Sequence, residues 1–194
     1  MAETPSLDTL RQTLEAVHTA GGLVIGSIGR AAIYDHMGLN PFLEYEARQQ
    51  QPLVTAAGKP RDVDVIGVSD LGGRFKGLPH FVDPSPYQVL GRDLEKTQEG
   101  VWRFKGFSGP AQDMDECCFE PFEAEIMGVP CVTVRPATHM ALLTPMPKYN
   151  IAYKLFRDHL PGEEQAFLFS GAYHPFGDFS VLKLAFDKTR SSEQ

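Results

Sequence analysis

The chain has 194 residues, 42% of them hydrophobic and 22% charged, with 15 Pro and 18 Gly, which is enough to fill one core and excludes a disordered or fibrous polypeptide. Its 18 Lys+Arg against 25 Asp+Glu leave a net charge of −7. That balance argues against strong non-specific binding of nucleic acid or of an anionic membrane, so any bound phosphate must be held by a local cluster.

Three cysteines, Cys117 and Cys118 adjacent and Cys131 apart, make neither a disulfide framework nor a pair of Cys-x-x-Cys zinc turns. No basic stretch leads into an apolar segment near the start, and no apolar run approaches the roughly 18 residues of a membrane span. The expectation is a cytoplasmic protein with no membrane partner.

Taken in chain order, Leu7, Leu10, Leu14 and Val17 recur at helical spacing behind Ser6 as N-cap, which predicts a helix over about 6–20, stopped by Gly21-Gly22. Leu23-Val24-Ile25 reads as a short strand running straight into Gly26-Ser27, and Ile28 to Met37 reads as a helix. Periodicity is poor over 41–60, which we take as an insertion around one short element. Asp62-Val63-Asp64-Val65-Ile66-Gly67-Val68 is the clearest strand. Further on, a short helix is expected near 87–94 and strands at 101–107, 117–122 and 129–134, the last turning through Gly128. Helical stretches follow over 136–143 and 149–160, the second closed by Pro161-Gly162, with a frayed tail from Ser191. The implied architecture is α/β (α+β), a mixed sheet flanked by helices, in one domain spanning 1–194.

Two clusters carry chemistry. Period two puts Asp62 and Asp64 on one face of their strand, where like charges repel unless a cation sits between them. Hard divalent ions take one or two carboxylates together with substrate phosphate oxygens, and Asp-x-Asp offers that half-shell. The bland alternative is a solvated strand end. Gly26-Ser27 lies where a strand enters a helix, so free backbone N–H groups and the positive helix end favour an anion; Ser27 adds a hydroxyl, and Arg30 sits one turn on, able to fork onto phosphate oxygens. Here the alternative is a plain β-to-α turn.

Strand, Gly-Ser, helix, then a strand bearing Asp-Val-Asp-Val resembles the nucleotidyltransferase superfamily with the DNA polymerase β-like palm. Its signature, hydrophobic-Gly-[Gly/Ser] followed by Asp-hydrophobic-[Asp/Glu]-hydrophobic, is matched by Ile25-Gly26-Ser27 and Asp62-Val63-Asp64-Val65. The later order, an acid-bearing strand, the turn at Gly128, the strand to Val134 and Pro136-Ala137-Thr138-His139 entering a helix, is similar to bacterial AbiEii-like toxin-type nucleotidyltransferases. The resemblance spans about 20–160. Because 34 residues separate Ser27 from Asp62, more than the family usually has, 41–60 is an insertion.

The resemblance implies that Asp62, Asp64 and a third carboxylate hold Mg²⁺ (or Mn²⁺). It places Gly26, Ser27 and Arg30 on the β- and γ-phosphates of an NTP. Glu120, Glu123 and Glu125 are the candidates for the third acid, Glu120 being preferred for its strand-like setting. Lys154 falls where similar enzymes keep a basic residue near the triphosphate. The implied reaction transfers a nucleoside monophosphate to an unidentified acceptor hydroxyl, on protein, RNA or a small molecule, with release of pyrophosphate. The alternatives are a catalytically degenerate binding module, as in a toxin–antitoxin-like pair, or an unrelated α/β interaction domain.

Other motifs fail on their chemistry. Gly26-Ser27-Ile28-Gly29-Arg30 lacks the Lys and the spacing of a P-loop, and Ser27 directly after its glycine is no Gly-x-Ser-x-Gly elbow. The six histidines show no His-x-x-x-His spacing, His139 alone being worth watching. Adjacent Cys117 and Cys118 on a strand would face opposite ways. Trp102, Phe104 and Phe107 alternating with Arg103 and Lys105 read as a half-buried strand, and Lys148, Lys154 and Arg157 as a solvated helix face apart from the role implied for Lys154.

Overall fold

The computed structural model describes residues 5–68, 73–84, 88–89, 92–96, 102–104, 116–143 and 149–172. Helix α1 (Leu7–Thr19) leads into strand β1 (Leu23–Val24), helix α2 (Gly26–His36) and the short helix α3 (Leu43–Ala47). Strands β2 (Val63–Ile66), β3 (Val82–Asp83), β4 (Gln88–Val89), β5 (Arg92–Lys96) and β6 (Trp102–Phe104) follow. A 3-10 turn at Glu116–Phe119 precedes β7 (Phe122–Ile126) and β8 (Val129–Thr133), and the chain continues through α4 (Pro136–Ala141), α5 (Asn150–His159) and α6 (Gly162–Leu168).

The main sheet has the order β3-β2-β1-β8-β7. It is mixed: β1 runs antiparallel to β2 and parallel to β8, β2 is parallel to β3, and β7 and β8 form a hairpin. Strands β4, β5 and β6 form a separate antiparallel sheet. The α/β class with a mixed sheet and flanking helices is therefore as the sequence implied.

Alternation divides the core between the two faces of the main sheet. Val24, Val63, Val65, Val129 and Cys131 pack with Leu10, Leu14 and Val17 of α1. Leu23, Ile25, Ile66 and Val134 pack with Tyr34 of α2, Met140 of α4, Phe156 of α5 and Leu168 of α6. Each such aliphatic or aromatic side chain removed from water is worth about 1.5–3 kcal/mol. A reciprocal capping box fixes the start of α1: the Thr9 N–H donates to Ser6 Oγ at 3.3 Å, and the Ser6 N–H donates to Thr9 Oγ1 at 2.8 Å.

Some expected elements differ. The helix expected near 87–94 gives way to β4 and β5, whose antiparallel pairing satisfies the backbone across strands. The strand expected at 117–122 is instead a 3-10 turn at Glu116–Phe119 with the strand beginning at Phe122, so Cys118 and Phe119 enter the core from a turn. Pro161 closes α5 as expected, but a further helix that the sequence reading did not include follows it: α6, whose Glu164 reaches back to the Ala137 N–H at the start of α4 (2.9 Å) and pairs with Arg135 (2.7 Å). Phe107, Lys105, Lys148 and the tail from Ser191 lie outside the described residues. Among the described residues no helix is long and apolar enough to cross a membrane.

Candidate active site

Strand β1 ends at Val24, and α2 begins two residues later at Gly26, so the free N–H groups of the first helical turn open at the end of the sheet. The antiparallel register between β1 and β2 carries the chain to Asp64, whose carbonyl accepts the Ile25 N–H at 2.8 Å. The Asp64 carboxylate lies against the turn itself. A Cβ added at Gly26 would collide with Asp64 Oδ2 and stand 2.7 Å from its Cγ, and Gly26 has φ +64°, a conformation that disfavours any side chain. Gly26 is thus required twice, by its backbone and by the carboxylate on the neighbouring strand.

Asp64 alternates with the fully buried Val63 and Val65, and so takes the face of Ile66. Asp62 shares this parity and is exposed, just ahead of the strand. The third carboxylate in register is one that sequence reasoning missed. In the parallel pairing of β2 with β3, Val63 faces Val82 and Asp64 faces Asp83. Val82 belongs to the α1-side core with Val63, so Asp83 shares the Asp64 face. The triplet Phe81-Val82-Asp83 repeats the apolar–acid alternation of Val63-Asp64, a faint signal, but the strand is only two residues long and its register to Asp64 exists only in the fold.

Glu120 is corrected by strand order. It is exposed ahead of β7, at the opposite edge of the sheet from β3, and β7 lies three strands from β2, or about 14 Å at ordinary strand spacing. Glu123 and Glu125 line a groove of about 490 Å³ between α1 and the β7–β8 hairpin, together with Glu15 and His18, and away from Asp64.

Arg30 also differs from expectation. It is 6% exposed, and its fork is spent on Glu44 of α3, with Nε to Oε1 at 2.7 Å and Nη2 to Oε2 at 3.0 Å. Tyr34 donates to the same carboxylate, and Arg48 adds a contact at 3.3 Å. Burial opposes ionisation of Glu44, yet the charge and hydrogen bonds of Arg30 outweigh it and hold the carboxyl below its ordinary range. Arg30 therefore anchors α3 to α2 where a phosphate fork was expected. Lys154 is exposed on α5, near enough to Asp158 to help hold that carboxyl ionised.

The segment 41–60 is bound at its far end as well. Arg61 donates from Nε to Pro52 O at 2.8 Å and from Nη2 to Gln51 O at 2.7 Å and Val54 O at 3.2 Å, and its guanidinium lies 4.3 Å over the Tyr45 ring. His80, fully buried, holds the Arg61 carbonyl through Nδ1 at 2.7 Å and links this corner to Thr13 of α1. These contacts fix the entry into β2, immediately before Asp62.

Beneath the turn, Thr133 donates to Val24 O, which leaves its oxygen to accept from His139 Nε2 at 2.7 Å. His139 is consequently a neutral donor; burial, with the positive charge of Arg30, pushes its pKa down to about 3. It serves the join between α2, α4 and the sheet and does not face a ligand.

Among the described residues no three His, Cys, Asp or Glu side chains converge closely enough to hold a metal ion as they stand. No family model, curated protein or solved structure matches the chain. What the site offers chemically is a helix start with a hydroxyl, suited to an anion, set beside carboxylates suited to a hard cation, on three adjacent strands.

Proposed function

We propose that the chain is a metal-dependent nucleotidyltransferase that moves a nucleoside monophosphate from an NTP to an acceptor hydroxyl. One observation carries the reading: the Asp64 carboxylate lies directly against the Gly26-Ser27 helix start, so an anion and a cation placed by their ordinary preferences would be in contact. Gly26 and Ser27 hold the leaving β- and γ-phosphates through backbone N–H groups and a hydroxyl. Asp62, Asp64 and, in place of Glu120, Asp83 are the residues that would hold Mg²⁺. When bound, Mg²⁺ neutralises the triphosphate and lowers the pKa of the acceptor hydroxyl.

In-line displacement needs the acceptor opposite the leaving pyrophosphate. With Gly26 beside β1 and Asp83 on β3, the acceptor approaches over β3, flanked by Phe81, which is 68% exposed. The acceptor oxygen attacks the α-phosphorus, the bond to the bridging oxygen breaks, and the oxygen leaves with pyrophosphate.

A second reading, a degenerate module of the same fold that binds nucleotide without turnover, is favoured by the absence of a converged three-carboxylate cluster among the described residues. Incubation with each radiolabelled NTP, Mg²⁺ and candidate acceptors separates the two. We expect pyrophosphate release that Asp64→Asn and Asp83→Asn each abolish and that Glu120→Gln leaves intact. Nucleotide binding in the wild type without release would select the degenerate module. No Mg²⁺-dependent nucleotide binding at all would end the nucleotidyltransferase reading.

A further inference from the structure

The Tyr45 side chain, on α3, is 3% exposed, and its hydroxyl finds no hydrogen-bond partner in the protein. Buried side-chain hydroxyls almost always have a partner, so an orphan points to a hydrogen bond completed in another state. Ser27, half-buried at the start of the eleven-residue α2, is near enough to influence this phenol yet outside hydrogen-bond geometry with it. The ring has little freedom to turn elsewhere. Arg61, itself pinned by three backbone carbonyls, covers its face at 4.3 Å, and the adjacent Glu44 is locked to Arg30 on α2. Burial also raises the Tyr45 pKa, so the hydroxyl keeps its proton and is a donor at neutral pH.

We infer that Tyr45 is a positioning residue for a polyphosphate at the start of α2: its hydroxyl donates to Ser27 Oγ when Ser27 turns its own proton onto a phosphate oxygen. A serine hydroxyl has one proton and two lone pairs, so it accepts from Tyr45 and donates to the anion at once. Each bond in such a chain polarises the next. With Tyr45 no longer orphaned, the bound state satisfies a group that the free state leaves unsatisfied. The segment that carries α3 thereby contributes to the anion site from outside the strand–turn–helix unit.

The inference rests on the anion site proposed above, and its test separates the two. The probes are Mg²⁺-tripolyphosphate and Mg²⁺-ATP, titrated by calorimetry into the wild type, Tyr45→Phe, Ser27→Ala and the double variant. Phenylalanine keeps the ring and its stacking on Arg61 and deletes only the oxygen. Tyr45→Phe should bind both probes roughly fivefold to tenfold more weakly, the scale of one lost hydrogen bond. Ser27→Ala should lose at least as much, and the double variant no more than Ser27→Ala alone, since Tyr45 acts only through Ser27. The melting temperature of unliganded Tyr45→Phe should be unchanged or higher, because no protein partner is lost. Wild-type affinity in Tyr45→Phe, additive losses in the double variant, or wild-type affinity in Ser27→Ala would each overturn the inference while leaving the anion site standing. If the wild type binds neither probe, the anion site itself is wrong and the inference falls with it.

Discussion

Gly26 is the residue on which the proposed chemistry turns, because two independent demands meet there. Its φ of +64° costs an L-residue about 1–2 kcal/mol, and any Cβ enters the space of the Asp64 carboxylate. Gly26→Ala should therefore remain folded, at a stability cost near that figure, with Asp64 displaced from the helix start. The measurable consequence is loss of the rise in melting temperature that Mg²⁺-NTP gives the wild type, since ligand stabilisation follows affinity. A Gly26→Ala protein with the full ligand-induced shift would show that Asp64 and the turn do not share a ligand. At this scale spacing was informative about position, since the Gly26 turn and Asp64, far apart in sequence, lie against each other in the fold. It misled at Arg30: nothing in the pattern Gly-Ser-Ile-Gly-Arg tells that Glu44, fourteen positions on, will claim both arms of the guanidinium. It was silent on Asp83 and Tyr45, whose positions depend on strand register and on a segment with no periodicity.

Among the elements, α2 packs tightly on its surroundings at Gly29. A Cβ at Gly29 would stand 2.7 Å from both His139 Cε1 and the Val24 carbonyl and 3.1 Å from Thr133 Oγ1. The helix seats directly on the Thr133–His139 join, with backbone on one side and a fixed ring on the other. Gly29→Ala should consequently destabilise the protein by about 1–3 kcal/mol, seen as a lower urea midpoint with an unchanged slope. An alanine variant as stable as wild type would mean that α2 can lift from the sheet at no cost. Element prediction succeeded where one physical pattern dominated: the capped apolar stripe of α1, the alternation of Val63 and Val65, the hairpin through Gly128. It failed at residues 116–119, where Cys-Cys-Phe suits a strand by composition but inserts into the core from a 3-10 turn, and at β4 and β5, where cross-strand pairing overrides local helical preference.

At the level of the whole molecule, two buried titratable groups, one under α2 and one tying α2 to α3, couple the architecture around the proposed site to pH. His139 is held neutral with its pKa lowered to about 3, and Glu44 is held ionised with its pKa also lowered. In both cases the unfolded chain binds the proton more readily than the folded one, so stability rises with pH through each window and falls on acidification. The windows differ. His139 begins to act as pH drops below the ordinary histidine value of 6.5 and continues down toward its folded value; Glu44 adds its share only below the ordinary glutamate value of 4.5. Between pH 6.5 and 4.5 the fold should lose on average about 1 kcal/mol per pH unit from His139 alone, the slope growing from half of the one-proton value of about 1.4 kcal/mol at pH 6.5 to nearly all of it at pH 4.5. His139→Gln keeps an N–H for Thr133 but cannot titrate, so its stability measured by urea unfolding should be flatter than wild type in that interval, whatever its absolute value. Glu44→Gln leaves Arg30 buried without its counter-charge and should cost about 3–5 kcal/mol at neutral pH, a penalty that shrinks below pH 4.5 as the wild type loses the same pairing. Equal slopes for wild type and His139→Gln between pH 6.5 and 4.5 would mean that the ring reaches solvent and protonates in place, and that α2 is not seated on α4 as closely as Gly29 requires.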